Sequence, residues 1–181
     1  EGKATTTGYM LFKRFNRSIS KTSPGVASQN RPSIIFRLAD FYLIYAEVAN
    51  EVNPSDSRVL TYLNLVRERA GLPKVEILNP GIVGNKELQR AAIQRERQIE
   101  LATEGQRYFD VRRWMIADKD GEGRQNGYAH GMNVRGTIND TEEFNRVVET
   151  EKIVFNRKMY LQPIPDHEMR KTQNLVQNPG W

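Results

Sequence analysis

The chain has 181 residues, with 27 Lys or Arg against 22 Asp or Glu, an apolar share of 38%, and no cysteine. This fits one domain of ordinary core size and excludes a disulfide framework or cysteine-ligated zinc. The net charge of +5 is uneven: residues 1–37 hold seven Lys or Arg and one acid, a net of +6, so the rest is close to neutral with both signs mixed, a poor counterion-release surface that argues against nucleic acid as a partner.

Residues 1–32 read as an irregular arm, with YMLFKRF as a short extended piece before a loop rich in Ser, Pro, Gly and Asn. Residues 33–117 read as helical hairpins. Ser33 is expected to cap a helix from Ile34, on which Leu38, Phe41, Tyr42, Tyr45, Ala46 and Ala49 recur at three- and four-residue spacing. Ile35, Leu43 and Ile44 add to these, so this helix is apolar beyond a single stripe and is expected to pack on two sides. Asn53-Pro54 ends it. Ser55 or Asp56 should cap a second helix striped by Val59, Leu60, Leu63 and Val66, which Gly71 and Pro73 stop.

After a loop from Pro73 to Gly84, a third helix is expected to face the core with Leu88, Ala92, Ile99 and Ala102, and to end at Gly105. A fourth runs from Gln106 to about Ala117. Residues 118–151 read as a long loop insertion rich in Gly, Asn and Asp, the place to look for ligand contacts. Residues 152–181 form a carboxy-terminal segment: an extended piece from Lys152 to Pro163, a Pro-Ile-Pro turn, and a short helix capped by Asp166. No apolar run approaches the roughly 18 residues needed to cross a bilayer. The chain opens without Met or a signal-peptide pattern and reads as a fragment of a longer protein.

Four carboxylates, Glu96, Glu100, Glu104 and Asp110, are interleaved with Arg95, Arg97, Arg107, Arg112 and Arg113. Two carboxylates could run acid–base or glycosidic chemistry. Guanidinium forks, however, favour the ionised carboxylate, the reverse of what a general acid needs. The expectation is therefore a structural ion-pair network of Glu100, Glu104, Arg107, Asp110 and Arg113, mostly buried beside Phe109 and Trp114, with no catalytic residue. Trp114, Tyr42, Tyr45 and Tyr108 sit at helical spacing and are expected in the core. The two histidines, His130 and His167, are isolated, and Asp118, Asp120 and Glu122 lack the later acid of a calcium loop, so neither a metal nor a cofactor is expected. In the insertion, Tyr128, His130, Asn133 and Arg135 are candidate ligand contacts, because an aromatic face with planar hydrogen-bonding groups suits a sugar ring.

The run RERQIELATEGQRYFDVRRW, together with RLADFYLIYAEVANEV, LNLVRERAGLP, YLQPIPDHEM and the final QNPGW, in that family's order, resembles the carboxy-terminal half of the SusD/RagB family over Thr7 to Trp181. Those are outer-membrane nutrient-binding lipoproteins of Bacteroidetes. The resemblance implies a mainly α fold of stacked, tetratricopeptide-like helical hairpins with long irregular loops. It further implies binding of glycan at the cell surface for a SusC-like TonB-dependent transporter, and membrane attachment only through a lipid anchor outside these residues. The alternative left by the hairpins alone is a helical-repeat scaffold for a peptide or protein partner.

Overall fold

The computed structural model describes residues 9, 11, 13, 33–119, 127–132 and 146–181. The proposed extended piece in the amino-terminal arm lies largely outside them. The fold is mainly helical: α1 (Leu38–Val52), α2 (Arg58–Arg69), the single turn α3 (Val75–Leu78), α4 (Lys86–Glu100), α5 (Gln106–Arg113), a two-stranded antiparallel sheet of β1 (Gly127–Met132) and β2 (Arg146–Ile153), and the short α6 (Asp166–Met169). These residues divide into two compact units, Arg31–Asp110 and a second that contains Val111–Trp181.

In the first unit, Ala39, Leu43 and Ala46 of α1 meet Val59, Leu63 and Val66 of α2 and Ile93 of α4 in one buried cluster. α1 begins four residues later than Ser33 would have set it, at Leu38 after Arg37 in extended backbone, with no side-chain cap. The Arg37 guanidinium is instead committed to Glu100 and Glu104. α1 stops at Asn53, whose side chain accepts from the Ser55 amide, and Asp56 then accepts from the Arg58 amide at the start of α2. The second bond satisfies a donor that helix geometry leaves free at the start of α2, and the first closes the turn between the helices.

The Pro73–Gly84 connection is not simply a loop. Asn64, buried on α2, accepts from the Val75 amide at 3.0 Å and donates to the Glu76 carboxylate, which fixes the first turn of α3. A turn of 3-10 helix follows over Pro80–Ile82, and Ile82 enters the core. The largest departure is on α4, whose buried residues are Gln89, Ile93, Glu96 and Arg97, whereas Leu88 and Ile99 are exposed. The helix is rotated about one residue from its apolar stripe. Polar groups can occupy the inner face because they are bonded: Gln89 donates to the carbonyls of Pro54 and Ile82, and Glu96 and Arg97 are in ion pairs.

α5 ends at Arg113, short of Ala117. Met115 takes a left-handed conformation (φ 53°) while its amide donates to Arg112 and that of Ile116 donates to Val111. The same pair of bonds ends α2, where Gly71 holds the left-handed position (φ 78°).

In the second unit, Val111, Ile116, Ala117 and Phe155 are buried together, with Trp114, Met159 and Tyr160 packed against them. Part of the insertion is paired: Gly127 lies opposite Ile153 and Met132 opposite Arg146, with an irregularity between Tyr128 and His130. Gly, Asn and Asp content concealed this pairing, because a two-stranded ladder is held by main-chain bonds that composition does not report. In place of one extended piece, the segment after β2 contains a 3-10 turn, Arg157–Tyr160. The tail is then fastened by side chains. Gln177 bonds both the amide and the carbonyl of Ile164, Asn178 donates to Gln162, and the Trp181 indole donates to the carbonyls of Lys158 and Leu161. Pro163 and Pro165 have no amide to offer a strand partner, and side-chain amides take that role here.

The two helix ends yield opposite expectations. Gly71→Ala forces a Cβ into the left-handed region and should cost about 1–2 kcal/mol, whereas Met115→Gly relieves the same strain and should stabilise by up to about 1 kcal/mol. Urea denaturation of both variants checks the signs. Equal shifts in one direction would contradict this reading of the caps.

Candidate functional site

The centre of the first unit is the guanidinium of Arg97. Its side chain is 3% exposed and bridges two carboxylates, donating from Nη1 to Asp40 at 2.9 Å and from Nε and Nη2 to Asp110 at 2.9 and 3.2 Å. One cation thus ties α1, α4 and α5. Ile93 fixes its position, since a residue four places on projects from the same face of α4 into the same core. A fork that is bidentate to one acid and shared with a second is a geometry that guanidinium has and ammonium lacks.

Around this centre lie further pairs. Arg67 donates to Glu96 at 2.8 Å and to the carbonyl of Pro73. Arg37 grips Glu104 through Nε at 2.9 Å, Glu100 through Nη1 at 2.6 Å, and the Glu100 carbonyl through Nη2. Arg69 reaches the same Glu100 carboxylate at 2.7 Å. The Glu104 carboxylate, and then that of Glu100, hold the Arg37 guanidinium above its ordinary pKa against the opposing effect of burial. At the other end of α1, Glu51 is held by Arg90 (2.6 Å) and Lys86 (3.0 Å), and the Arg90 hydrogen bond brings its pKa down to about 2.

Of the five residues expected in one network, Glu100, Glu104 and Asp110 are engaged by Arg37, Arg69 and Arg97. Arg107 is half-buried on α5, and Arg113 is exposed with its guanidinium 4.6 Å from the Trp114 ring centroid. Arg37, Asp40, Arg67 and Arg69 come from the first hairpin and escape the sequence reading, because ion pairs 29 to 63 residues apart leave no local spacing to read. The aromatic residues expected in the core divide. Tyr42 is half-buried against the α1–α2 core and Trp114 is half-buried in the second unit, but Tyr45 and Tyr108 are exposed, Tyr45 lying 4.5 Å from the Tyr62 ring.

Tyr128 and His130 lie on β1, with Lys152 and Val148 as their backbone partners on β2. Asn133 and Arg135 lie outside the described residues. At the start of the insertion, the Asp118 carboxylate and amide both bond the Tyr160 hydroxyl, and burial followed by that carboxylate raises the phenol's pKa. Among the described residues there is no group of three or more His, Cys, Asp or Glu placed to hold a metal, and no helix is long and apolar enough to cross a membrane.

The SusD family model matches residues 1–181. SusD-like protein P25 of Formosa agariphila is 44% identical over 106 residues, which cover 59% of this chain and 19% of that protein. SusD-like protein P2 of the same organism is 31% identical over 153 residues, 82% of this chain and 26% of its own length. The crystal structure of a SusD-like protein from Bacteroides fragilis superposes with a TM-score of 0.66 at 31% identity, covering 82% of this chain and 26% of that one. The chain therefore spans about a quarter or less of the length of these relatives.

Arg97→Leu leaves Asp40 and Asp110 without this shared cation in a buried site and should cost roughly 3–5 kcal/mol of unfolding free energy. Denaturant melts of the variant check this, and a loss below about 1 kcal/mol would make the pairs incidental. Glu51 tests the pH dependence. Its lowered pKa means the stabilisation is present above about pH 4.5 and is lost as pH falls through about 2. Its side chain is 41% exposed, so Glu51→Gln should cost only about 0.5 kcal/mol at pH 7. That difference from the parent should vanish near pH 2 in parallel melts.

Proposed function

The chain belongs to the SusD family, and we propose that the protein it comes from binds glycan nutrients at the bacterial cell surface and delivers them to a SusC-like TonB-dependent transporter. In this reading it is an outer-membrane lipoprotein, attached by a lipid anchor outside residues 1–181, and it is a binding protein with no catalytic step. The observation that carries the reading is the family match over residues 1–181.

The chemistry of the charged run supports binding over catalysis. Glu96, Glu100, Glu104 and Asp110 each sit against a guanidinium, so their oxygens are committed to ion pairs that hold the helices together. We assign ligand contact to the insertion around β1 and β2, with Tyr128, His130, Asn133 and Arg135 as its sugar-facing groups. An aromatic face with planar donors and acceptors suits a pyranose ring and its hydroxyls.

Affinity electrophoresis of the full-length protein against plant, host and microbial polysaccharides tests the proposal. Retardation by at least one polysaccharide is expected, with Tyr128→Ala weakening it at least about fivefold, as for loss of about 1 kcal/mol of ring contact. A protein that migrates unchanged through every polysaccharide and is retained only by polypeptide would instead be a peptide-binding scaffold.

A further inference from the structure

One side chain joins the two ends of the insertion. The Tyr160 hydroxyl donates to the Asp118 carboxylate at 2.5 Å and accepts from the Asp118 amide at 3.1 Å, across 42 residues of chain. Two bonds to one residue, one of them to a charged acceptor, fix both the place and the direction of the chain where the insertion begins. The ring of the same tyrosine meets Phe155 edge to face, with centroids 5.0 Å apart. Phe155 follows shortly after β2 ends at Ile153, and it is buried with Val111, Ile116 and Ala117. Tyr160 is held in turn. The Asn156 side chain accepts from the Met159 amide, and the Trp181 indole donates to the carbonyls of Lys158 and Leu161, on either side of Tyr160, at 3.0 Å each.

We propose that Tyr160 is the positioning residue of the insertion: it ties both ends of that segment to the second core and thereby sets the placement of β1, which carries Tyr128 and His130. A two-stranded ladder is marginal by itself in water and depends on what it is fastened to. β2 runs directly into Phe155, whereas β1 is reached from the other end, through Asp118, so losing either attachment loosens the ladder on that side. The hydroxyl makes the second attachment. A phenylalanine in its place keeps the ring against Phe155 and releases Asp118. The consequence for a ligand follows from population, since a site whose competent arrangement is held for only part of the time binds more weakly by that fraction. In this respect the proposal rests on the reading of the insertion as the ligand face. Tyr160 acts through the chain and is assigned no ligand contact of its own.

The test uses the full-length protein with Tyr160→Phe, with Asp118→Asn, which keeps an acceptor for the phenol, and with Val59→Ala, a first-unit core variant that reports loss of stability alone. Amide hydrogen exchange is followed without ligand, well below the melting temperature. Tyr160→Phe should speed exchange in β1 and β2 at least about tenfold and leave α1 and α4 unchanged, whereas Asp118→Asn and Val59→Ala should keep the ladder within about twofold of the parent. Affinity for a polysaccharide that retards the parent should fall at least about fivefold in Tyr160→Phe and hold in the other two. Ladder exchange that is unchanged in Tyr160→Phe, or equally fast in Val59→Ala, overturns the proposal. So does fast ladder exchange with undiminished affinity for a polysaccharide the parent binds, because the placement of β1 is then irrelevant to the ligand. A parent that binds no polysaccharide defeats the glycan reading instead. The exchange measurement, made without ligand, then decides the anchoring alone, and acceleration confined to β1 and β2 upholds it.

Discussion

The first unit depends on placing one cation, Arg97, in a site almost closed to water. Removing a guanidinium from water costs several kcal/mol unless its donors are met, and two carboxylates arriving from different helices meet them. Asp40 lies on α1 and Asp110 on α5, so the Arg97 site is complete only when both helices are in register with α4. The apolar contacts among Leu43, Leu63 and Ile93 supply attraction without direction, and a slip of one residue would lose little of it. The ion pairs supply direction. A slip there strands a charge.

The same constraint explains why α4 shows its apolar residues to solvent. Its inward face carries Gln89, Glu96 and Arg97 with only Ile93 as an aliphatic anchor, and Leu88 and Ile99 are displaced outward. A hydrophobic stripe is a sound guide where burial is the main term, as on α2, whose Val59, Leu63 and Val66 are buried as their spacing requires. It misleads where bonded polar groups compete for the interior, since their desolvation is offset by partners that lie far away in sequence. Here α1 supplies Asp40 and α2 supplies Arg67, from 57 and 29 residues away.

What the sequence discloses follows this division. Helix stops marked by Asn53-Pro54 and Gly71 are local, and the chain breaks there, whereas α4 ends at Glu100, before the expected Gly105, which instead directly precedes α5. The left-handed stop at Met115 carries no glycine and is invisible to the same rule. In the charged run, the density of Glu and Arg beside Phe109 and Trp114 announces ion pairing, while the identity of the partners depends on the hairpin before it. Residue type and place in the insertion single out Tyr128 and His130, but neither reveals that they stand in a ladder opposite β2. The motif order, by contrast, pointed to the SusD family that the chain belongs to, because several ordered patterns over most of a chain carry more information than any one of them.

The two sides of α1 differ in kind. Its inner side is directional, with Asp40 bound to Arg97 and Asn50 donating to the Lys86 carbonyl, and it locks α1 to α4. Its outer side, from Leu38 to Val52, is apolar and nearly free of bonding groups, so nothing on that side fixes a register. On the inner side a guanidinium fixes alignment while aliphatic side chains supply attraction, and because the ion pairs are buried that seam is costly to break.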